Sequence, residues 1–246
     1  MLQGLYSAAS GMEAQQTQLN AISNDLSNAD TPGYESVDVG FQDLLYSSGG
    51  VSSGSTVATG AGAQASVVGR DTTEGAMTDT GRPLDVGIEG DAFIQVRLPS
   101  GQTGLTRDGA LQTNSKGELT DVNGDPLVPT ITIPTGTDPA SVRISADGTV
   151  SLGAKSIGKI TLMSVPAPGQ LLANGDSTFS TTAASGAAKP ATGSALHQGY
   201  LEGSNVNTAQ AMETMMNAQE SYDMDSQAVQ YQSQMLQIAN QLRSGS

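Results

Sequence analysis

The sequence contains no cysteine and no tryptophan, and only three phenylalanines. Without cysteine there can be no disulfide, no thiolate metal site and no cysteine nucleophile. Aromatics make up 4% of the chain and hydrophobic residues 37%. A compact domain of this length would normally hold more large apolar side chains, so part of the chain is expected to lie outside a core of its own. Positive charge is also scarce, with 10 Lys and Arg against 24 Asp and Glu. Affinity for nucleic acid comes largely from Lys and Arg neutralising phosphates, so this balance argues against a nucleic-acid partner. Anionic membrane surfaces are disfavoured for the same reason. No apolar run approaches the ~20 residues needed to cross a bilayer, and no direct membrane insertion is expected. The N-terminus, MLQGLYSAASG, lacks the basic and continuous apolar regions of a cleavable signal peptide. By its signals alone, the protein stays in the cytoplasm or leaves by a signal-independent route.

Catalytic signatures are just as thin. His197 is the only histidine, and a lone histidine beside a strand is far more often structural or exposed than catalytic. Asp121, Asn123 and Asp125 open with the spacing of a calcium loop, but Pro126 stands where that loop needs Gly and Thr132 where it needs Glu. A turn rich in Asn, Gly and Asp explains them better. Ser156 and Lys159 match a bare S-x-x-K spacing, yet they fall in a β-type run rather than at a helix start. No phosphate loop, dinucleotide fingerprint or H-E-x-x-H occurs. No catalytic residue, cofactor or metal is expected, and the reading is of a protein that is not an enzyme.

What the sequence does contain is periodicity at its two ends. From Leu2 to about Asn28 there is no Pro, and Leu5, Met12, Leu19 and Leu26 recur every seven residues, with Ile22 beside them. That is an a/d stripe diluted by small and amide side chains. Asp30-Thr31-Pro32-Gly33 ends it. At the other end Asn207 is a good N-cap, and no Gly or Pro follows before Leu242. Met215, Tyr222, Val229 and Leu236 again fall every seven residues, with Met212, Ala218, Ala239 and Leu242 widening the stripe. These helices would be roughly 40 and 50 Å long. Neither stripe is wide enough to hold a lone helix in water, so each needs partners. The remaining faces are rich in Gln and Asn, which donate and accept without net charge and suit packing against copies of the same chain.

Between the ends, Ser47–Gln64 is mostly Gly, Ser, Ala and Thr and reads as a flexible or extended connection. From about Ala65 to Val165, short β-type runs alternate with turns. The runs include Phe93–Val96, Thr130–Ile133, Ser141–Ile144 and Ile160–Leu162. The turns include Pro99-Ser100-Gly101, Asn123-Gly124 and Asp147-Gly148. Ser180–Gly193 reads as a second polar loop, and Leu196–Leu201 as a last strand. The expected fold class is α+β: N- and C-terminal helices pairing as a coiled coil, with a central antiparallel β-rich domain. The expected boundaries are 1–30 for the first helix, 31–64 for the linker, 65–203 for the β-rich domain and 204–246 for the second helix.

Three stretches resemble a known family. The first is Ser10-Gly11-Met12, Gln15-Gln16 and then Ile22 to Tyr34, including Asn24, Leu26, Asn28, Thr31, Gly33 and Tyr34. The second runs from Gln198 to Asn207 and includes Gly199, Leu201, Glu202, Ser204, Asn205 and Val206. The third is Gly90–Val96 with Thr106-Arg107-Asp108-Gly109 and Asn123-Gly124. In this order they resemble the motifs of bacterial flagellar rod, hook and hook-associated axial proteins. Chain length and the Thr130–Pro134 and Ile144–Val150 stretches look most like the distal rod type, with the proximal rod and hook types as alternatives. The resemblance implies a structural subunit of the basal-body rod, exported through the flagellar type III apparatus without a cleavable signal. It implies polymerisation with copies of itself and contact with other rod and hook proteins. The terminal helices would form an inner coiled-coil layer, with Leu5, Met12, Leu19, Ile22, Leu26, Met215, Tyr222, Val229, Leu236 and Leu242 at the assembly interface. A secreted β-rich adhesin with a helical stalk is the reading from another class, but it leaves the paired terminal motifs unexplained.

Overall fold

The computed structural model describes residues 2–44, 47–48, 58–59 and 62–244. Most of the Ser47–Gln64 tract lies outside them. The chain has a helix at each end and a β-rich middle, and it divides into two units. One holds residues 1–26, 37–68 and 207–246; the other holds 27–36 and 69–206.

In the first unit, helix α1 spans Leu2–Ser27 and helix α2 spans Thr208–Ser244. α2 starts where its cap residue dictates. The Asn207 side-chain oxygen accepts the Gln210 N–H at 3.1 Å, and its carbonyl accepts the Ala211 N–H at 2.8 Å. The two helices touch. A methyl group added to Gly4 would come within 2.6 Å of the Gln232 amide nitrogen, and one on Gly11 within 2.7 Å of an Asp225 carboxylate oxygen. One position climbs by seven as the other falls by seven, so the helices run antiparallel and glycine lets their backbones approach. Strands Val37–Asp43 and Ala63–Arg70 pair beside each other. The Asp25 carboxylate, buried at the end of α1, accepts the Val37 N–H at 3.2 Å.

The second unit is antiparallel β structure. A six-stranded sheet has the order Leu172–Gly175, Thr178–Ser180, Thr103–Thr106, Phe93–Arg97, Leu162–Ser164, Lys189–Pro190. A three-stranded meander is made of Val142–Ile144, Thr149–Leu152 and Lys155–Lys159. Strand Phe93–Arg97 is buried on both faces because successive side chains alternate sides. Ile94 joins the main core with Val86, Ile88, Leu119, Ile131 and Leu196, among others. Phe93 joins a second cluster with Leu105, Val165, Leu171 and Phe179, meeting the Phe179 ring edge-on at 6.1 Å.

The structure corrects three strand assignments. Thr130–Ile133 forms no regular strand, although Ile131 and Ile133 are buried. Pro129 and Pro134 flank it and offer no N–H to a ladder; its bonds go instead to Gly117 and Leu119. Ile160–Leu162 is a crossing point rather than a strand. The chain leaves the meander at Lys159 and enters the large sheet at Leu162, with Ile160 buried between. Leu196–Leu201 is two strands, Ala195–Gln198 paired with Val86–Glu89 and Tyr200–Glu202 paired with Met77–Asp79. They meet at Gly199, whose φ of 84° turns the chain from one partner to the next.

Candidate assembly surface and motif junction

α2 carries large apolar side chains on two sides. Met215, Tyr222, Val229 and Leu236 are half-buried, on the same side as the buried Ala218. On α1, Leu5, Met12, Leu19 and Leu26 are half-buried and Ile22 is buried. A different set on α2 faces solvent: Met212, Met216, Met224, Tyr231, Met235 and Ile238 are each 52–64% exposed. At 100° per residue these six fall within an arc of about 140°, away from the covered side, and run for about 39 Å along the axis. Met212 and Leu242, both expected to widen the seam stripe, fall with this outer set instead, Leu242 at 73% exposed. The heptad reading found only the first face.

In the second unit, residues of the two terminal motifs come together. Thr31-Pro32-Gly33-Tyr34 forms a turn closed by the Tyr34 N–H on the Thr31 carbonyl at 3.3 Å. Gly33 sits at φ +64°, and its N–H reaches the Glu202 carbonyl at 2.9 Å. A Cβ there would lie 2.7 Å from the backbone of Arg107 and Asp108. Asn205 spans the junction with its whole amide. Its oxygen accepts the Ser36 N–H at 2.8 Å, while its nitrogen donates to the carbonyls of Asp71 at 2.8 Å and Thr73 at 3.2 Å. Asn28 accepts the Thr31 hydroxyl at 3.2 Å, and the Ser204 hydroxyl accepts the Val206 N–H at 3.2 Å. Leu201 and Val206 are half-buried, while Asn24 is exposed on α1.

At the centre is a buried ion pair that sequence reasoning missed. Arg107, 2% exposed, donates Nε to one oxygen of Glu202 at 3.0 Å and Nη2 to the other at 2.9 Å. Glu202, 4% exposed, also accepts the Gly75 N–H at 3.0 Å. Burial pushes the Glu202 carboxyl up, against the pull of the Arg107 charge. The Arg107 guanidinium lies 5.7 Å over the Phe93 ring. Both residues stood inside the motif stretches, but nothing in the spacing of residues 95 apart announces a pair.

Gly33→Ala should cost about 2 kcal/mol or more, combining an unfavourable backbone conformation with a clash against backbone. Gly124→Ala is the control, since Gly124 has φ +91° with open space around it. Urea unfolding of the two variants should place Gly33→Ala clearly lower. Equal midpoints would mean that the contact with Arg107 and Asp108 relaxes freely.

The residues weighed for chemistry have ordinary surroundings. His197 lies 2.6 Å from the Glu89 carboxylate on the surface. Asp121 folds its carboxylate back onto the Asn123 and Asp125 N–H groups, at 3.0 and 2.8 Å. Lys159 faces Asp147 at 3.8 Å, both well exposed. Among the described residues, no helix is long and apolar enough to cross a membrane, and no acidic or histidine group forms a metal cluster.

Comparison with known proteins agrees with this layout. Residues 5–34 match the family described as flagella basal body rod protein. Residues 87–152 match the flagellar hook protein FlgE/F/G D1 domain, and residues 197–242 the flagellar basal body rod FlgEFG protein C-terminal region. The flagellar basal-body rod protein FlgG of Caulobacter vibrioides is 38% identical, over 99% of this chain and all of its own length. FlgG of Borreliella burgdorferi is 35% identical over 99% of both chains. FlgF of Mesorhizobium japonicum is 28% identical over 91% of this chain and 90% of its own. The matched families are structural, and none is catalytic. The chain belongs to the FlgG family of flagellar basal-body rod proteins and is a structural subunit of the distal rod.

Proposed function

We propose that copies of this chain polymerise helically through their terminal helices, which form an inner coiled-coil layer, with the β-rich unit outside. The subunits would leave the cell through the flagellar type III apparatus without a cleavable signal and join other rod and hook proteins. The polymer then acts as a hollow drive shaft that carries torque from motor to hook across the periplasm. The observation that carries this reading is the outer apolar face of α2. Six large side chains stand more than half exposed on a helix whose other side is already covered. Left in water, such a stripe is a liability; between subunits it is a seam. The glutamine-rich remainder of both helices suits contacts between identical surfaces.

A strain deleted for this gene tests the reading. It should lose motility, and its basal bodies should stop before the hook, with export of earlier subunits intact. Restoring the gene should restore complete rods. Complete rods and hooks in the deletion strain would overturn the assignment to the shaft.

A further inference from the structure

We propose that Glu35 is a proton-controlled latch: neutral Glu35 holds segment 31–36 against the β-rich unit, and ionised Glu35 loosens that hold. The geometry is unusual for a carboxylate. Glu35 is 3% exposed, and neither carboxylate oxygen has a hydrogen-bond partner. Burying an ionised group in that state costs far more than burying a neutral carboxyl. The cations nearby are committed elsewhere. Arg107 is held by both oxygens of Glu202. Arg70 spends Nη1 on the backbone carbonyl of Glu35 itself, at 2.8 Å, and lies 5.3 Å over the Phe179 ring. The acids nearby, Glu202 and Asp71, oppose a further negative charge. Ionisation would therefore set Glu35 beside Glu202, which already holds Arg107 by both oxygens.

The segment that Glu35 anchors is the one clasped by both terminal motifs. Gly33 bonds Glu202, Tyr34 bonds Asn205, and Ser36 bonds both Asn205 and Asp71. It is also the chain between α1 and strand Val37–Asp43. Burial, more than the neighbouring charges, raises the Glu35 carboxyl to about 7. The folded form therefore binds a proton that the open form has lost. Linkage makes the hold weaken as pH rises from about 4.5 to about 7 and level off above that. The clasp is tight on the acid side of neutrality and loose on the alkaline side.

Amide exchange of the full chain, measured at pH 5 and pH 8 and corrected for intrinsic rates, reads this out. Protection at Gly33, Ser36 and Asp71 should fall by a few tens of fold between those pH values. Glu35→Gln keeps the shape and removes this titration, so the pH dependence at these amides should shrink to what Glu202 and Asp108, whose carboxyls burial also raises, contribute. Asp108, whose carboxyl is also raised by burial, remains intact in that variant and serves as an internal control. Carbon-13 titration of the Glu35 carboxyl gives an independent reading and should show a midpoint near 7. A midpoint near the ordinary glutamate value overturns the proposal, and so does a Glu35→Gln variant with the pH dependence of the native chain.

Discussion

Met224→Asp combined with Tyr231→Asp is expected to abolish rod assembly while the β-rich unit stays folded. Each of these side chains is more than half exposed on the outer face of α2. Covering one in a subunit interface contributes about 1.5–3 kcal/mol, and replacing it by a carboxylate adds the desolvation of a charge. The electrostatic background makes this worse. The unit containing the two helices holds eight acidic residues and a single cation, Arg243. In the proposed polymer, copies approach as like charges, so apolar contact is what would hold them, and two further carboxylates oppose it directly. Met224→Leu with Tyr231→Phe keeps the apolar surface and should assemble. The measurement is swimming together with the yield of rods in purified basal bodies, beside a thermal melt of the soluble subunit. Normal rods in the Asp variant would remove the outer face from the interface.

The second large effect concerns the Arg107–Glu202 pair. Arg107→Leu or Glu202→Leu alone should lower the stability of the β-rich unit by about 3–5 kcal/mol, because each leaves a buried charge without its partner. The double variant should recover much of that loss, since two apolar groups need no pairing. Urea unfolding of the four proteins closes the cycle. The coupling between the two sites should exceed about 2 kcal/mol. Additive losses would show that the two side chains act independently, despite their bond lengths of 2.9 and 3.0 Å.

The elements legible in the sequence are those set by local chemistry. α1 stops at Ser27 because Thr31-Pro32-Gly33 cannot continue it, and α2 begins after Asn207 because that side chain caps it. Hairpins at Gly101 and Gly148 follow from residues that accept positive φ. What could not be read is set by contacts between distant residues. Thr130–Ile133 has the composition of a strand, yet the partners its backbone meets are Gly117 and Leu119, not a second full strand. The seven-residue pattern exposed one face of α2 because Met215, Tyr222, Val229 and Leu236 repeat cleanly. Met224, Tyr231 and Ile238 also recur every seven residues, two positions behind Tyr222, Val229 and Leu236, and Met212, Met216 and Met235 lie off that spacing, so the two stripes overlap in the sequence. Glu35 resembles any acidic residue in a polar stretch; only the fold reveals that it is buried without a partner.

Because the native chain has no cysteine, a single introduced thiol reports on one position alone. The most direct test of the account places Met224→Cys, Tyr231→Cys and Met235→Cys in separate variants and compares labelling by a water-soluble maleimide. Each thiol should react readily in the soluble subunit and be strongly protected in purified basal bodies, while a thiol at the exposed Ser100 turn reacts in both. Equal labelling of the three helix positions before and after assembly would contradict the claim that the outer face of α2 is buried between subunits of the rod.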